Sequence, residues 1–410
     1  MQTGKYNQSK RNRTTFVLAV LSTLALVLPA AAQPELVPVK PSDERPLLDN
    51  PAAGWGADYT NWVEVGIGNV WVDGHKSSFQ SRDQLPGNVF GGLEALHYER
   101  PVTKDWLLQI DGRAIANNED YLGKVTLVNP KVGFVRGGYR EFRTWYDRHG
   151  GYSSLGNVWI EPFDRNVHID RGEAFFEGGL TLENVPKLTF GYTRMFRDGI
   201  KDSTSWGDAT VATGTRRAIV PSFWDIDENR DIFRADLAHS IGKTDFGVGL
   251  RYEMSDQKNE KDILRRPGDR TAGQSITRAV TQNDNLDTDM FNVHGFTQTR
   301  INEKVLFTTG GSFTELHADT AGSRIYGSDF DAIYDPNLSR RQQRDEGFTG
   351  LAGSGDMKEY VANLNLLVSP WEYISILPSV RIDKVDETAV ANFTGTDWPN
   401  ADLNFVQTFG

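Results

Sequence analysis

The residues best placed to do chemistry are two groups of acidic side chains. The segment 225–231 reads DIDENRD and carries carboxyl or amide oxygens at its first, third and fifth positions, as a calcium-binding loop does. It departs from the EF-hand pattern, because Arg230 stands where that pattern needs glycine and Asp236 replaces the bidentate glutamate. We therefore interpret it as the solvated acidic end of a loop, with a calcium site as the alternative. The second group, interpreted in the same way, is Asp284, Asp287 and Asp289.

Other reactive side chains are scattered along the sequence. The seven histidines show no H-x-x-x-H spacing, and the chain contains neither a G-x-S-x-G motif nor a phosphate loop. No cysteine is present, which excludes disulfides, thiolate metal sites and haem attached through Cys-x-x-Cys-His. We predict no catalytic residue, no bound metal and no cofactor in this chain, and hence no enzymatic activity.

The composition of the 410 residues is polar and acidic. The formal net charge of −11 argues against a nucleic-acid partner, since nucleic-acid-binding proteins present a basic face. Hydrophobic residues make up 38% and the mean hydropathy is −0.47. A bundle of membrane helices is therefore excluded, because each helix would need about 20 mostly apolar residues.

Residues 1–32 have the three parts of a secretory signal peptide. Four basic residues precede an apolar stretch at 16–28, and Ala30-Ala31-Ala32 then supplies a small-residue cleavage site. An uncleaved membrane anchor is the weaker alternative, because the apolar stretch is short and contains polar residues. Residues 33–55 are rich in proline and charge and show no period, so we predict a flexible periplasmic lead-in there.

From Trp62 onward the dominant period of hydrophobicity is two, and the predicted barrel spans residues 56–410. In 246–254 the even-numbered residues are apolar or aromatic, whereas the odd-numbered ones are glycine, arginine or glutamate. About thirteen segments repeat this alternation, and most are longer than the five or six residues usual in soluble sheets. We predict strands near 62–72, 89–98, 106–116, 121–129, 132–145, 173–182, 187–197, 230–241, 244–254, 288–299, 304–315, 356–368 and 371–383.

The connections between these strands alternate in length, with one exception, the short connection at Asn117–Asp120. Some are short, as at 130–131, 242–243 and 369–370, whereas those at 147–172 and 316–355 are long. Short turns on one side and long loops on the other are typical of bacterial outer-membrane barrels. We therefore predict an all-β fold, an antiparallel transmembrane β-barrel of the outer membrane with about 13 strands and minor or absent helices. A secreted soluble all-β protein is the alternative.

The two sides of the alternation predict two surroundings. The apolar members are expected to contact outer-membrane lipid, and the polar members are expected to line a lumen. The lumen-lining candidates are Asp111, Arg113, Arg234, Asp236, Arg251, Glu253, Asn292, Glu359 and Asn363.

An odd number of strands predicts an incomplete barrel. Bacterial single-chain barrels usually have an even number of strands, and the first strand pairs with the last. We expect that the strands near 62–72 and 371–383 form no regular ladder with each other. Residues 403–410 have the pattern of the beginning of a further strand.

The most distinctive segment is 137–152, which reads GGYREFRTWYDRHGGY. Together with the N-terminal start of the strand ladder, it resembles the MtrB/PioB family of large outer-membrane barrels that sheath multihaem cytochromes. The resemblance implies electron transfer across the outer membrane of a Gram-negative bacterium, with haem supplied through a periplasmic partner cytochrome. The chain departs from the family because it lacks the paired N-terminal cysteines of some members and is shorter than such a barrel requires.

Two main functions therefore follow from the sequence. The first is a sheath for a multihaem cytochrome, and the alternative is a general or substrate-selective diffusion porin. A secreted soluble protein and an outer-membrane enzyme, whose catalytic groups would meet only in space, are less expected. The charged residues around segment 137–152 could line a pore or pair with an acidic partner, or they could simply neutralise one another in a wet lumen. We prefer the last interpretation. These charged residues are Arg136, Arg140, Glu141, Arg143 and Asp147.

We predict that the exported protein begins at Gln33. A signal peptidase recognises the small residues that precede the cut, and Ala30 and Ala32 stand at the required positions. Mass spectrometry of the N-terminus of the protein purified from outer membranes checks this expectation. Retention of residues 1–20 in that material would contradict it.

Overall fold

The structure is a computed structural model of the whole chain. It describes residues 2–5, 11–15, 60–74, 76–146, 152–153, 158–159, 167–211, 214–263, 280–326 and 346–396. The predicted lead-in at 33–55 lies outside the described residues, as do most of the predicted loop at 147–172 and residues 264–279 and 327–345. Within the described ranges, no helix is both long enough and apolar enough to cross a bilayer.

The described residues fold almost entirely into β-strands, with one short helix among them. The elements in chain order are β1 (Gln2–Lys5), β2 (Arg11–Thr15), β3 (Trp62–Gly68), α1 (Lys76–Asp83), β4 (Phe90–Pro101), β5 (Leu107–Ala116), β6 (Asp120–Asn129), β7 (Gly133–Trp145), β8 (Tyr152–Ser153), β9 (Val158–Trp159), β10 (His168–Leu180), β11 (Lys187–Val211), β12 (Gly214–Ile241), β13 (Thr244–Ile263), β14 (Val280–Asn302), β15 (Val305–Tyr326), β16 (Glu346–Trp371), β17 (Ile374–Ile376) and β18 (Ser379–Thr396).

One antiparallel sheet contains all of these strands except the β8–β9 pair. Its hydrogen-bonded order is β18-β16-β15-β14-β13-β12-β11-β10-β7-β6-β5-β4-β3, while β1 and β2 lie along β18 and β17 pairs with β16. Each strand in this run of thirteen therefore neighbours the strand that precedes or follows it. Such a meander of hairpins is the connectivity of an up-and-down membrane barrel, and it confirms the predicted all-β antiparallel fold class.

The register of the sheet keeps the predicted apolar residues on one face. Cross-strand pairing joins one aromatic residue of each of five successive strands into a row, here called the aromatic row. Its members are Phe176, Tyr192, Phe233, Tyr252 and Phe291. Between this row and the short turns, the same face carries aliphatic side chains such as Leu250 and Leu364, which are 43% and 46% exposed. A water-soluble sheet would bury such a face, so its exposure matches contact with lipid.

Exposure also shows which way the sheet curves. Along β16 from residue 351 to residue 364 the apolar-face residues are exposed, whereas the residues that alternate with them are half-buried. Side chains crowd one another on the concave side of a curved sheet and spread apart on its convex side. The apolar face is therefore the convex outer one, and we call the concave side the polar face.

The strands extend far beyond the predicted ends on one side of the sheet. The segments 198–229, 255–287 and 316–355 were predicted as long loops, but β11 to β16 continue through most of them with 20 to 28 residues each. The prediction was wrong because polar residues dominate these extensions, although Phe223 and Ile226 are buried there. Polar residues then occupy both faces, and the period of two disappears although the backbone ladder continues. We call this side of the sheet the extended end and the opposite side the short-turn end.

The extensions also correct the interpretation of the two acidic segments as loops, because both segments lie within strands. Residues 225–231 lie within β12 and pair with both β11 and β13, and Asp284, Asp287 and Asp289 lie within β14. A calcium loop must curl so that its oxygens converge on one ion, whereas a strand sends successive side chains to opposite faces. The acidic residues at 225–231 are therefore residues of a strand.

Helix α1 belongs to the connection between β3 and β4, which folds along the rim of the sheet. Just after the helix, the side-chain amide of Gln84 donates to the Trp145 carbonyl oxygen (3.0 Å), and its oxygen accepts from the Trp145 N–H (2.8 Å). Strand β6 is shorter than β7 and pairs with it only as far as residue 141. The Gln84 amide therefore takes the place of a backbone partner at Trp145, near the end of β7. The connection thus extends the wall above the β5–β6 hairpin.

The two ends of the thirteen-strand run do not meet. Among the described residues, β3 has β4 as its partner, and β18 pairs with β16 and with residues 2–5 and 11–15. This confirms the expectation that the first and last strands form no ladder. Because every neighbouring pair in the run is antiparallel, β3 and β18 point in the same direction. The N-terminal residues occupy the edge of β18, and their removal as a signal peptide stays a prediction.

We predict that charge is tolerated on one face of β16 and penalised on the other. Leu364→Arg, midway between the short turn and the aromatic side chain of Tyr360, should destabilise the protein by about 2–4 kcal/mol in lipid. Asn363→Arg, one residue away on the half-buried polar face, should cost much less. Urea titration of the protein folded in lipid vesicles measures both free energies of unfolding. Equal losses for the two variants would contradict the register.

Candidate functional site: the polar face

The nine residues predicted to line a lumen all lie on the polar face. Cross-strand pairing aligns four of them in one row, in which Arg234 pairs with Arg251, Arg251 with Asn292, and Thr314 connects Asn292 to Glu359. Asp236 and Glu253 occupy the two rows next to it on the same face, and Asn363 lies in the second row beyond it, toward the short-turn end. The structure therefore brings together on four strands residues that are up to 129 positions apart in sequence. That this face lines a lumen stays a prediction.

Most charges on the polar face are paired with a neighbouring side chain. Glu253, with a 13% exposed side chain, accepts from Arg251 on its own strand (2.5 Å) and lies 3.2 Å from the Arg230 guanidinium of β12. Arg197 lies 3.2 Å from Glu228, and Asn259 donates to the second oxygen of that carboxylate (3.1 Å). Pairs between adjacent strands hold opposite charges next to each other and leave the face wet but locally neutral.

The distinctive segment 137–152 divides its charges between the two faces. On the polar face, Arg136 and Arg140 reach across to β10, where they meet Glu177 (2.9 Å) and Glu173 (3.3 Å). On the opposite face, Arg143 makes two hydrogen bonds of 2.7 Å with Asp170. The arginines thus pair with the neighbouring strand rather than with each other, and Asp147 lies outside the described residues. Sequence proximity alone does not predict these partners, because the register selects them.

One candidate, Asp111, belongs to a buried cluster that the sequence did not predict. Its carboxylate lies 2.7 Å from Nδ1 of His97 on β4, and the two side chains are 8% and 5% exposed. The indole of Trp62 stacks on the imidazole, with ring centroids 4.5 Å apart. The cluster joins β3, β4 and β5 on the polar face near the short-turn end. Asp111 therefore stabilises the packing of these three strands and does not present its charge to solvent.

The other candidate on β5, Arg113, closes the first hairpins of the sheet. Its guanidinium donates to the Glu94 carbonyl oxygen (3.1 Å) and lies 3.4 Å from the carboxylate of Asp120. Both the side chain of Arg113 and that of Asp120 are about one-third exposed. Arg113 thus remains open to solvent on the polar face, in contrast to Asp111.

Carboxylates directly above the aromatic row anchor it at the extended end. The hydroxyl of Tyr192 donates to Asp231 (2.6 Å), and that of Tyr252 donates to Asp289 (3.1 Å). Tyrosine suits a membrane boundary because its ring is apolar and its hydroxyl finds a polar partner. These contacts mark the level at which the outer face changes from lipid-like to polar.

Three aspartates lie side by side farther along the extended end. Asp198 pairs across strands with Asp170 on one side and with Asp227 on the other, and Arg143 binds Asp170. Burial, together with repulsion by Asp227 and Asp170, raises the pKa of Asp198. The fold therefore penalises the charged form of this carboxyl group. Beside it, burial and then the charge of Arg143 lower the pKa of His168.

A metal site is not formed by the side chains that the structure describes. Within those residues, no group of three or more histidine, aspartate or glutamate side chains is arranged to hold an ion. In the acidic row of Asp170, Asp198 and Asp227, the carboxylates repel one another, and Arg143 binds Asp170.

Comparisons with known proteins add the following findings. No protein-family model and no curated protein matches the sequence. Among solved structures, the chain is similar to the ferric-catecholate import receptor Fiu of E. coli K12, with 11% identity and a TM-score of 0.36 over 76% of this chain. It is also similar to OmpT, an outer-membrane protein of Vibrio cholerae, with 12% identity and a TM-score of 0.20 over 75% of this chain and 89% of OmpT.

The matched region covers 61% of the Fiu receptor, so this chain spans about three fifths of the length of that protein. The OmpT structure is that of an outer-membrane protein.

We predict that the His97–Asp111 pair stabilises the first three strands of the long sheet. Asp111→Ala leaves a buried imidazole without its partner and should lower the free energy of unfolding by about 1–3 kcal/mol. The matched control is Gln109→Ala on the same face of β5, which removes a hydrogen bond to the partly exposed Glu99 and should cost less than about 1 kcal/mol. Urea titration in lipid vesicles measures both, and equal losses would contradict a special role for the buried pair.

Proposed function

We propose that the chain forms the wall of an outer-membrane β-barrel that encloses a hydrophilic passage. The observation that carries this proposal is the division of one antiparallel sheet into a convex apolar face and a concave polar face. In a bilayer, such a wall satisfies its backbone hydrogen bonds internally and presents each face to a matching medium. The proposed role is that of a porin or transporter-like protein without catalytic chemistry.

We further propose that the passage holds a multihaem cytochrome, so that the wall insulates a path for electrons. A protein occupant needs a wide space, and the described part of the β3–β4 connection lies along the rim instead of crossing the polar face. The resemblance of segment 137–152 to cytochrome-sheathing barrels supports the same role. Haem would belong to the partner, because this chain has no cysteine to attach it.

The direction of the edge strands also supports a wide wall. Because β3 and β18 run parallel to each other, the two cannot close the wall by the antiparallel pairing that all other neighbours use. A wall closed by antiparallel pairs therefore contains at least one further strand between them. Barrel diameter grows with strand number, so each further strand enlarges the space inside.

The polar face also fits contact with a protein. Carboxylates such as Glu253 and Glu228 are already paired with guanidinium groups of neighbouring residues, so an occupant need not neutralise them. Arg234 stands directly opposite Arg251 on the neighbouring strand, so two basic side chains lie next to each other in this row. An acidic side chain of the occupant would find its best partner there.

The test compares haem content with leakage. The full chain carrying an affinity tag is purified from the outer membranes of its own bacterium, and covalent haem is measured from the Soret band and by haem staining. The complex is then placed in liposomes that contain reduced methyl viologen, with ferric citrate outside. We expect haem in a fixed ratio to the chain and oxidation of the viologen, with no leakage of entrapped sucrose.

Two variants connect this result to the polar face. Arg234→Glu should reduce the haem that co-purifies, whereas Lys358→Glu, on the opposite face beside Glu315, should not. A chain without haem whose liposomes leak sucrose would overturn the sheath and identify a diffusion porin. Loss of haem in both variants to the same extent would show that the polar face does not select the partner.

A further inference from the structure

We infer that the polar face carries a subsite for a neutral, polyhydroxylated ligand such as an oligosaccharide. The site is an open groove of about 310 Å³ across β14, β15 and β16, near the short-turn end. This volume lies at the lower limit of about 300–1,000 Å³ found for small-molecule sites. The groove is lined by Phe296, Thr297, Gln298, Thr308, Thr309, Gly310, Asn363 and Asn365.

The groove exists because two glycines flank an aromatic side chain in one cross-strand row. Phe296 pairs with Gly247 on one side and with Gly310 on the other, and Gly310 pairs with Asn363. The ring lies over Gly247, where a Cβ atom would come within 2.5 Å of Cε1 of the ring. It therefore leaves the space above Gly310 open. Neighbouring strands lie about 4.8 Å apart, so the groove between Phe296 and Asn363 is about 10 Å wide.

Phe296 is an exposed aromatic residue on the polar face. Its side chain is 51% exposed, whereas the neighbouring polar-face residues Gln298, Thr308 and Asn363 are half-buried. An exposed aromatic ring on a solvent-exposed polar face can stack against a ligand that has an apolar face of its own. The pyranose ring of a sugar has such a face, formed by its C–H groups.

The remaining lining side chains are uncharged and offer both hydrogen-bond donors and hydrogen-bond acceptors. Gln298, Asn363 and Asn365 each carry amide donors and an acceptor oxygen, and Thr308 carries a hydroxyl. The Asn365 amide donates to Oγ1 of Thr308 at 3.3 Å, which orients one side of the groove. A sugar hydroxyl also donates and accepts, so this lining matches a polyhydroxylated ligand. An ion would need an opposite charge to replace its water.

Charged residues border the groove but do not line it. Asp245 pairs across strands with Gln298, and Arg381 pairs with Asn363. The guanidinium of Arg381 is turned toward Asp383, with a hydrogen bond of 3.1 Å. One acidic and one basic residue at opposite borders leave no net preference for anions or cations, so the ligand that fits best is uncharged.

The inference goes beyond the proposed sheath, and it is tested on the chain alone. The purified full chain is folded in lauryldimethylamine oxide, a detergent without a sugar headgroup, because maltoside detergents would compete for the groove. Titration with maltotriose, followed by saturation-transfer NMR, measures the dissociation constant. Gluconate and glucosamine serve as the negatively and positively charged comparison ligands. We expect saturable binding of maltotriose and weaker binding of both charged ligands.

Three variants locate the binding. Phe296→Ala should weaken maltotriose binding about tenfold by removing the aromatic ring. Gly310→Val places a side chain in the open space of the groove without removing any group that would contact the sugar. It should weaken binding at least as much, because the sugar would be sterically excluded. Gln257→Ala, which removes a polar-face amide on β13 near the extended end, is the matched control and should leave the dissociation constant unchanged. Heat-modifiable migration on gels shows that each variant is folded.

The outcomes separate this inference from the sheath. If the wild-type chain shows no saturable binding of maltotriose, the subsite is refuted, and the haem measurement is unaffected because no cytochrome or bilayer is used. Binding that survives both Phe296→Ala and Gly310→Val places the sugar elsewhere and overturns the assignment. Equal affinity for maltotriose and gluconate would contradict a neutral site.

Discussion

A membrane offers no water to the polypeptide backbone, and every N–H and C=O that enters it needs a partner within the protein. Each unpaired group in hydrocarbon costs several kcal/mol, so the hydrogen-bonded ladder between neighbouring strands cannot be interrupted there. The thirteen-strand run from β3 to β18 satisfies this constraint with hairpins alone. The side-chain alternation then follows, because a strand that keeps its ladder must send its side chains to alternate faces.

The ladder also decides how the polar face handles charge. Side chains directly opposite on adjacent strands lie about 5 Å apart, which is within reach of a salt bridge. Arg136 with Glu177 and Arg197 with Glu228 use this spacing, and Arg251 with Glu253 uses the spacing of two residues along one strand. Local pairing of this kind leaves the wall hydrophilic without a strong field of either sign. The His97–Asp111 pair is the exception, because Trp62 covers it and turns it into part of the wall.

Beyond the aromatic row the constraint on the backbone is relaxed but the ladder persists. Water can replace a missing partner there, so these extensions are stabilised by pairing between strands and by side chains on both faces. The acidic row at Asp170, Asp198 and Asp227 is tolerated in this region, with Arg143 offsetting part of the repulsion. The same row in the lipid-facing band would carry a high desolvation cost.

The sequence by itself determined the part of the protein that meets lipid. The predicted starts of β11, β13 and β15 at residues 187, 244 and 304 fall within one residue of the observed starts, because a short turn and a fresh apolar alternation coincide there. The same alternation placed all nine candidate residues on one face. It also predicted that the first and last strands would not pair, since an odd run of antiparallel strands ends in the direction in which it began.

Only the tertiary structure decided where the strands end, which side chains meet and where the groove lies. The period of two vanishes where polar residues occupy both faces, so the sequence of 225–231 reads as a loop although its backbone is paired on both sides. The contact of His97 with Asp111, and the space beside Phe296, depend on which residues of separate strands stand opposite each other. Register is set by the sum of many cross-strand contacts, and no single segment of the sequence contains that information.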